Sequence, residues 1–320
     1  MKLEPRTANL PQRDTILEVI DALSGRFLKG KVRSVRLCVT ALLAGGNILL
    51  EDIPGLGKTT LVLALARVLG LSFGRVQCTS DLLPSDITGL SIFNRDENRF
   101  TFIRGPVFNN LVLVDEINRA MPKTQSALLE AMEERKVTME GTTYDLPTPF
   151  LVVATQNPVE QVGTHPLPES QLDRFLICTD VGYPPEEIEK SIIRSGSIRN
   201  ELKTLNPVIS TEAILEAQLA VREQVLLSEK VTDYLFRIVA ATRNHPLILS
   251  GLSTRAGINL AEAARANAYL EGRDYVIPED VKQLAVPVGA HRIIAAAYQD
   301  GLNKEQLLRS ILKEIPVPLV

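Results

Sequence analysis

The stretch at residues 51–60, EDIPGLGKTT, constrains the fold more than any other part of the chain. It follows an apolar run at residues 47–50 that suits a buried strand, and the segment after it repeats its apolar positions at helical spacing. A strand, a glycine-containing loop and a helix in this order form the context in which such a loop binds phosphate. There the backbone N–H groups of residues 55–59 form a nest at a helix N-terminus, where aligned peptide dipoles stabilise an anion.

The side chains of the loop suit the same chemistry. Gly55 and Gly57 allow the sharp path of the backbone. Lys58 can reach the outer phosphates as a point charge, and the Thr59 hydroxyl can complete the coordination shell of a Mg²⁺ ion. Asp52 stands where the pattern G-x-x-x-x-G-K-[ST] has its first glycine. For the loop taken alone, a structural turn is the alternative interpretation.

Composition limits the classes of protein to consider. A chain of 320 residues, 45% hydrophobic and 23% charged, can form two domains or one large domain with a sizeable core. A formal net charge of −3 argues against a chain that coats nucleic acid or an anionic membrane, so we expect no nucleic-acid partner. One basic run, residues 26–36, is interpreted as a solvated helix face or a nucleotide-edge segment, with a nucleic-acid patch as the alternative.

Cysteines and histidines are too scattered to predict a metal site. They are Cys38, Cys78, Cys178, His165, His245 and His291. Without metal-ligand spacing, the cysteines are predicted to be small core residues in a reducing compartment. The N-terminal residues lack the apolar region of a signal peptide, and nowhere do about 18 apolar residues run together. We therefore expect a cytoplasmic protein without a membrane span.

A second apolar run ends in two carboxylates. Residues 111–114 are predicted to form a buried parallel strand, which would deliver Asp115 and Glu116 to its carboxyl edge. Asp115 can hold Mg²⁺ through water, and Glu116 can orient or deprotonate an attacking water. Two acids after a strand also occur in solvated turns. Here Asp115 lies 57 residues after Lys58, which favours the catalytic interpretation.

Three further polar residues have a functional and a structural interpretation. Asn157, delivered by the predicted strand FLVVATQNP, could hydrogen-bond the γ-phosphate and the attacking water, or could form a turn before Pro158. Arg174 is either a helix-end cation or an arginine finger that reaches nucleotide bound by a neighbouring subunit. Arg255 lies in the first turn of a helix, where a cation opposes the dipole, so we expect it to have an external anionic partner.

The order of elements predicts an α/β fold. Five strands alternating with helices form a doubly wound parallel sheet in a core domain at residues 1–182, and hairpins near residues 91–103 and 136–149 are inserts in this core. After Pro184 no strong strand follows. Residues 183–320 are predicted to form a helical lid domain, with helices at 186–198, 211–223, 230–243, 253–270, 278–286 and 304–312.

Over essentially its full length, the chain resembles the AAA+ ATPases and, within them, the MoxR family. The resemblance rests on the motifs LLEDIPGLGKT, RGPVFNNLVLVDEINRA, LLEAMEERKVT, VATQNPVEQVGTHPLPESQLDRF, GLSTRA and EGRDYVIPEDV, in this order and spacing. MoxR-like loops frequently carry an acid at the position of Asp52. His165 stands where a tyrosine is more usual in the family, and Leu252-Ser253-Thr254 where the family has A-S-P.

The resemblance implies a role for each candidate residue. ATP would be bound by Pro54, Gly55, Leu56, Gly57, Lys58, Thr59, Thr60 and Asp115, and Mg²⁺ by Thr59 and Asp115. Lys58 and Thr59 would belong to Walker A, Asp115 and Glu116 to Walker B. Asn157 would be sensor 1, Arg174 the trans-acting finger and Arg255 sensor 2. It also implies a homo-oligomer, a hexameric ring, and a separate partner protein with a von Willebrand A domain.

These expectations lead to one hypothesis and two alternatives. The leading hypothesis is Mg²⁺-dependent ATP hydrolysis at subunit interfaces, which drives a chaperone-like motor that remodels or matures partner proteins by metal insertion or complex assembly. An AAA+ motor for nucleic acid or for a chelatase is the first alternative. The second is a nucleotide-gated scaffold with little hydrolysis.

Overall fold

A computed structural model describes residues 10–96, 98–159, 163–196, 202, 205–296 and 303–318. The strands are β1 (Asn47–Glu51), β2 (Phe73–Gln77), β3 (Gly89–Asn94), β4 (Arg99–Arg104), β5 (Leu111–Asp115), β6 (Lys136–Met139), β7 (Thr142–Asp145), β8 (Leu151–Gln156), β9 (Phe175–Thr179), β10 (Ile248–Ser250) and β11 (Ile294–Ala295). The α-helices are α1 (Arg13–Ala22), α2 (Val32–Leu43), α3 (Lys58–Val68), α4 (Pro84–Thr88), α5 (Pro122–Glu134), α6 (Glu169–Leu172), α7 (Glu186–Ser195), α8 (Thr211–Gln224), α9 (Glu229–Arg243), α10 (Thr254–Leu270), α11 (Pro278–Gly289) and α12 (Lys304–Glu314).

Five of the strands form one parallel sheet in the order β2-β5-β8-β1-β9. Such strands are covered on both faces, which is why the central ones consist of nearly unbroken apolar residues. Side chains alternate between the faces. Ile48 and Leu50 of β1 face one hydrophobic cluster and Leu49 faces the other. The predicted fold class, a doubly wound five-stranded parallel sheet with a helical lid, is confirmed.

The lid packs against the core domain both through helix α2 and directly against strand β9. One continuous hydrophobic cluster joins α2 (Leu42), the sheet (Ile48) and the lid helices α10 and α11 (Leu260 and Val281). Helix α2 contacts both α8 and α10. This cluster contains residues from both predicted domains, so the packing does not mark a boundary at residue 182. The division into residues 1–182 and 183–320 stays a prediction.

The lid contains one feature that the sequence pattern did not predict. Strands β10 and β11 pair in antiparallel orientation. They are three and two residues long, too short for a period-2 pattern to be visible. The predicted lid helix at residues 186–198 is α7, and residues 197–198 of that prediction lie outside the described residues.

Both predicted inserts form antiparallel hairpins, β3–β4 and β6–β7. The two hairpins contact each other through the stacked rings of Phe102 and Tyr144, whose centroids are 4.4 Å apart. Cys38 and Cys78 are buried, as predicted for small core residues. Cys178, for which the same prediction was made, is only partly buried and packs against the edge of the core. In the described part of the chain, every helix is too short or too polar to cross a bilayer.

Candidate functional site

The loop at residues 51–60 connects β1 to α3 with the backbone path that its glycines allow. Gly55 and Gly57 both have positive φ, 90° and 89°, a region that L side chains rarely adopt. Gly57 caps the N-terminus of α3, and no side chain satisfies the N–H groups there. Among the described residues, the N–H groups in the first turn of α3, which contains Lys58, Thr59 and Thr60, have no acceptor outside the helix and can donate to an anion.

Lys58 is held by backbone oxygens of its own loop. Its Nζ donates to the carbonyl oxygens of Asp52 at 2.6 Å and Ile53 at 3.2 Å. Burial lowers the pKa of Lys58, and the negative charges of Asp52, Asp115 and Glu116 oppose that shift. The ammonium group thus lies within the field of the predicted Mg²⁺-binding and water-activating carboxylates.

The sequence did not reveal what Asp52 does. Its Oδ2 accepts hydrogen bonds from the backbone N–H groups of Val181 at 2.8 Å and Gly182 at 2.9 Å. Lys31 donates to the carbonyl oxygens of the same two residues, at 3.1 Å for Val181. An aspartate in place of the first glycine therefore ties the start of the phosphate loop to the chain segment that leads into the lid.

Three basic side chains of the run at residues 26–36 bond to other parts of the chain. Lys31 is buried, and burial lowers its pKa against the opposing charges of Asp52, Asp180 and Glu189. Arg33 pairs with Asp180 at 3.0 Å, and Arg36 pairs with Glu271. These contacts within the chain argue against a nucleic-acid patch, and the choice between a solvated helix face and a nucleotide-edge segment stays a prediction.

A cavity of about 370 Å³ opens beside the phosphate loop. Its lining includes Leu28, Lys31, Gly55, Gly57, Val181 and Ile188. The volume lies in the range of small-molecule sites, and the mixture of apolar walls with a few polar groups is typical of them. The arrangement can hold a nucleoside against the apolar walls while the loop holds its phosphates.

Asp115 and Glu116 follow β5 at the carboxyl edge of the sheet, as predicted. Asp115 is 7% exposed, and its Oδ2 accepts from Arg75 Nε at 2.9 Å. Glu116 has a left-handed backbone, with φ 57° and ψ 53°. The Thr155 hydroxyl accepts from its N–H at 2.9 Å. The Glu116 carboxylate accepts from Arg119 Nη1 at 3.2 Å.

The donor set fits Mg²⁺. Asp115 and Thr59 supply a carboxylate and a hydroxyl, the hard oxygen ligands that this ion prefers. Within the described residues, no group of three or more His, Cys, Asp or Glu side chains could hold a metal alone. Mg²⁺ takes one or two carboxylates and completes its shell with substrate phosphates and water.

Asn157 directly follows β8, which lies between β1 and β5 in the sheet. It is therefore at the same edge as the phosphate loop and Asp115. Its Oδ1 accepts from the backbone N–H of Val159 at 3.1 Å, the local turn that was the structural alternative. This bond uses the oxygen of the amide and orients the side chain.

Arg174 and Arg255 lie elsewhere. Arg174 directly precedes β9, whose Phe175 pairs with Asn47 at the start of β1. The phosphate loop follows the other end of β1, and five strand residues span about 13 Å. Arg174 and Arg255 also line a separate cavity of about 250 Å³, together with Gly45 just before β1.

The structure brings these two arginines to each other. Arg174 Nη1 and Arg255 Nη2 each lie 2.8 Å from the carboxylate of Glu133 on α5. The expected anionic partner of Arg255 is therefore a residue of the same chain. Glu133 was missed because the motif LLEAMEERKVT contains several exposed acids, and only the tertiary fold singles one out.

Comparisons with known proteins agree with this architecture. Residues 47–177 match the ATPase family associated with various cellular activities (AAA), and residues 240–311 match the AAA lid domain. The chain is 46% identical to YeaC of Bacillus subtilis (strain 168), over 92% of each chain. It is 40% identical to Chaperone MoxR1 of Mycobacterium tuberculosis, over 92% of this chain and 80% of that one.

A solved structure gives the same result. The crystal structure of a candidate ATPase from Cytophaga hutchinsonii is similar with a TM-score of 0.88 at 41% identity, over 96% of both chains. At such identity and coverage, similarity extends through the core, the inserts and the lid. The chain is a member of the MoxR family of AAA+ ATPases.

Proposed function

We propose that this protein hydrolyses ATP with Mg²⁺ at sites that neighbouring copies complete in a hexameric ring. The observation that carries the proposal is the separation of the site residues. The phosphate loop, Asp115, Glu116 and Asn157 occupy the carboxyl edge of the sheet, whereas Arg174 and Arg255 share a carboxylate at the other edge. This placement favours action of the two arginines on a nucleotide that is bound by another copy.

At the carboxyl edge, the chain would bind and orient the nucleotide. Backbone N–H groups from Gly55 to Thr60 would hold the phosphates, with the dipole of α3 adding to the attraction. Lys58 would exchange its two carbonyl partners for phosphate oxygens. Thr59 and Asp115 would hold Mg²⁺, which supplies charge neutralisation at the β- and γ-phosphates.

Hydrolysis would follow from the placement of one water. Glu116 would orient it and take up its proton as its oxygen bonds to the γ-phosphorus. The bond from that phosphorus to the bridging oxygen of the β-phosphate breaks, so that ADP and inorganic phosphate leave. Asn157 would hydrogen-bond the γ-phosphate and the water through its amide N–H groups, since its Oδ1 is engaged in the turn.

Arg174 and Arg255 would act on the nucleotide of the adjacent copy. Negative charge on the transferred group is spread over its equatorial oxygens, and guanidinium groups stabilise it. An arginine finger in related NTPases contributes about 10³ to 10⁵ in rate. A monomer should therefore have almost no activity.

The work done by hydrolysis is proposed from the family. We infer that nucleotide-dependent motion of the lid, residues 183–320, against the core, residues 1–182, remodels a partner protein during metal insertion or complex assembly. A separate protein with a von Willebrand A domain would deliver the client. The name of Chaperone MoxR1, a relative at 40% identity, is consistent with a chaperone-like role.

The test is the steady-state Mg-ATPase rate per subunit, measured as protein concentration rises through the micromolar range, with mass measured in parallel. We expect specific activity to climb as the ring assembles. Substantial activity in a species of monomer mass would contradict sites completed in trans. Negligible activity at every concentration, even in the assembled ring, would favour a nucleotide-gated scaffold.

A further inference from the structure

One carboxylate connects the two arginines that the proposed mechanism assigns to the neighbouring site. Glu133 Oε2 lies 2.8 Å from Arg174 Nη1, and Glu133 Oε1 lies 2.8 Å from Arg255 Nη2. Each oxygen therefore serves one guanidinium. The three residues come from three different parts of the fold: helix α5, the turn before β9, and lid helix α10.

Two guanidinium groups brought this close repel each other, and a carboxylate between them offsets the repulsion. Like charges that share no counter-ion would separate toward solvent, because both side chains are partly exposed, 31% for Arg174 and 53% for Arg255. Glu133 is 35% exposed, so the bridge lies at the surface, where an incoming phosphate can reach it.

The bridge leaves most of the donors of each arginine available. Arg174 uses Nη1 for Glu133 and for the carbonyl oxygen of Leu129 at 2.6 Å, and Arg255 uses Nη2. Within the described residues, the other nitrogens of these two guanidinium groups have no hydrogen-bond acceptor. Each guanidinium group is thus held through one nitrogen and can still donate hydrogen bonds from its other nitrogens. Bidentate recognition of phosphate requires such donors.

We propose that Glu133 is a positioning residue, which holds Arg174 and Arg255 as a matched pair for the phosphates of nucleotide bound by the adjacent copy. The inference rests on the proposed function. Because Arg255 belongs to the lid while Glu133 and Arg174 belong to the core, Glu133 also sets how the lid contributes its arginine to the pair.

If Glu133 has this role, its removal should lower the rate of catalysis and leave the stability of the fold nearly unchanged. Exposed ion pairs contribute little to folding, so removing the Glu133 charge should leave the melting temperature nearly unchanged. A misplacement of about 1 Å at a positioning group can cost about 10²-fold in rate. We therefore expect Glu133→Gln to lower kcat by roughly 10- to 100-fold, with little change in KM for ATP.

Glu134→Gln is the matched control. Glu134 is the next residue on α5, is exposed like Glu133, and forms no ion pair with either arginine. This variant removes one nearby negative charge without breaking the bridge, so its kcat should equal that of the wild type. An equal loss of kcat in both variants would overturn the proposal, because the removal of any nearby negative charge would then explain the effect.

A mixing experiment separates positioning in trans from a local structural role. Glu133→Gln subunits retain an intact phosphate loop and Glu116, whereas Glu116→Gln subunits retain intact arginines. In random rings formed from equal amounts, about one quarter of the interfaces combine the intact halves. We expect ATPase activity well above that of either variant alone.

Each result has a definite meaning. Wild-type turnover with unchanged Glu133→Gln turnover would overturn the role of Glu133 and leave the proposed function standing. A loss in Glu133→Gln that mixing does not restore would also overturn it, because the defect would be local. No turnover in the assembled wild type would overturn the proposed hydrolysis and this inference together. In an Arg174→Ala, Arg255→Ala background, adding Glu133→Gln should lower kcat no further.

Discussion

Arg292 of the lid donates from Nε to the carboxylate of Asp173 at 2.7 Å, and Asp173 directly precedes Arg174. The Arg292 side chain is only 3% exposed, and its Nη2 also donates to the carbonyl oxygen of Phe175 at 2.7 Å. The buried Arg292 guanidinium group thus connects the lid to the segment that carries Arg174, the proposed arginine finger. Motion of the lid relative to the Arg174 segment would break these bonds.

Removing the Asp173 carboxylate should destabilise the protein strongly. Asp173→Ala leaves Arg292 as a buried charge without its counter-ion, which costs about 3 to 5 kcal/mol in the free energy of unfolding. Denaturant unfolding measures this loss. Asp180→Ala breaks the exposed pair with Arg33, 58% exposed on both sides, and should cost less than about 1 kcal/mol. Similar losses in the two variants would contradict the role of burial.

Glu116→Gln should separate ATP binding from turnover. The amide keeps the shape of the side chain but cannot accept the proton of the attacking water, so we expect turnover to fall by at least about 10²-fold. ATP affinity, measured by titration, should stay close to that of the wild type. Lys58→Ala is the contrasting variant and should lose affinity. Turnover that survives Glu116→Gln would remove Glu116 from its proposed role.

Arg174→Ala should abolish turnover while the chain still binds ATP. The expected loss is about 10³- to 10⁵-fold, as for arginine fingers in related NTPases. Mixing Arg174→Ala with Glu116→Gln subunits should restore part of the activity, because each supplies what the other lacks. If mixing restores nothing although both variants assemble, Arg174 acts within its own subunit.

Asp52 should stabilise the folded chain before any nucleotide binds. Asp52→Ala leaves the N–H groups of Val181 and Gly182 without their acceptor, at an expected cost of about 1 to 3 kcal/mol in the free energy of unfolding. Asp52→Asn retains an acceptor oxygen and should cost less. Urea unfolding without nucleotide gives both values. An alanine variant as stable as the wild type would show that water replaces the carboxylate.

His291 should make stability depend on pH. Burial, and then the positive charge of Arg292, lower the pKa of His291 well below 6.5, and its Nε2 lies 3.0 Å from the carbonyl oxygen of Phe175. The unfolded state, with a pKa of about 6.5, then takes up a proton that the folded state does not. The free energy of unfolding is therefore undiminished above about pH 6.5. Below that it falls, by up to about 1.4 kcal/mol per pH unit.

Denaturant titrations of wild type and His291→Gln from about pH 7.5 to pH 5.5 test this dependence, since that range spans the unfolded pKa. The glutamine amide can donate to the Phe175 carbonyl but does not titrate in this range. We expect a flatter pH dependence in the variant, while the contribution of carboxylates stays the same in both proteins. Parallel curves would mean that His291 titrates alike in the folded and unfolded states.

Local patterns in the sequence were enough to predict the fold. Strands such as β1 and β5 are short apolar runs, and α3 and α5 show helical periodicity. Both patterns can be recognised from residues that are close together in the sequence. The glycine loop and the two acids after β5 could be placed at one sheet edge, because parallel strands end at the same edge. The small β10–β11 pair escaped prediction because it depends on contacts between distant segments.

What the sequence by itself determined is the family, the class of fold and the residue types available for ATP chemistry. Only the tertiary structure decided which of those residues meet. Glu133, Arg174 and Arg255 are separated by 41 and 81 positions along the chain, and no periodic pattern links them. Asp52 and Lys31 likewise find residues 181–182 only after folding. Side-chain partnerships of this kind arise from chain topology, since burial and charge select partners by distance in space.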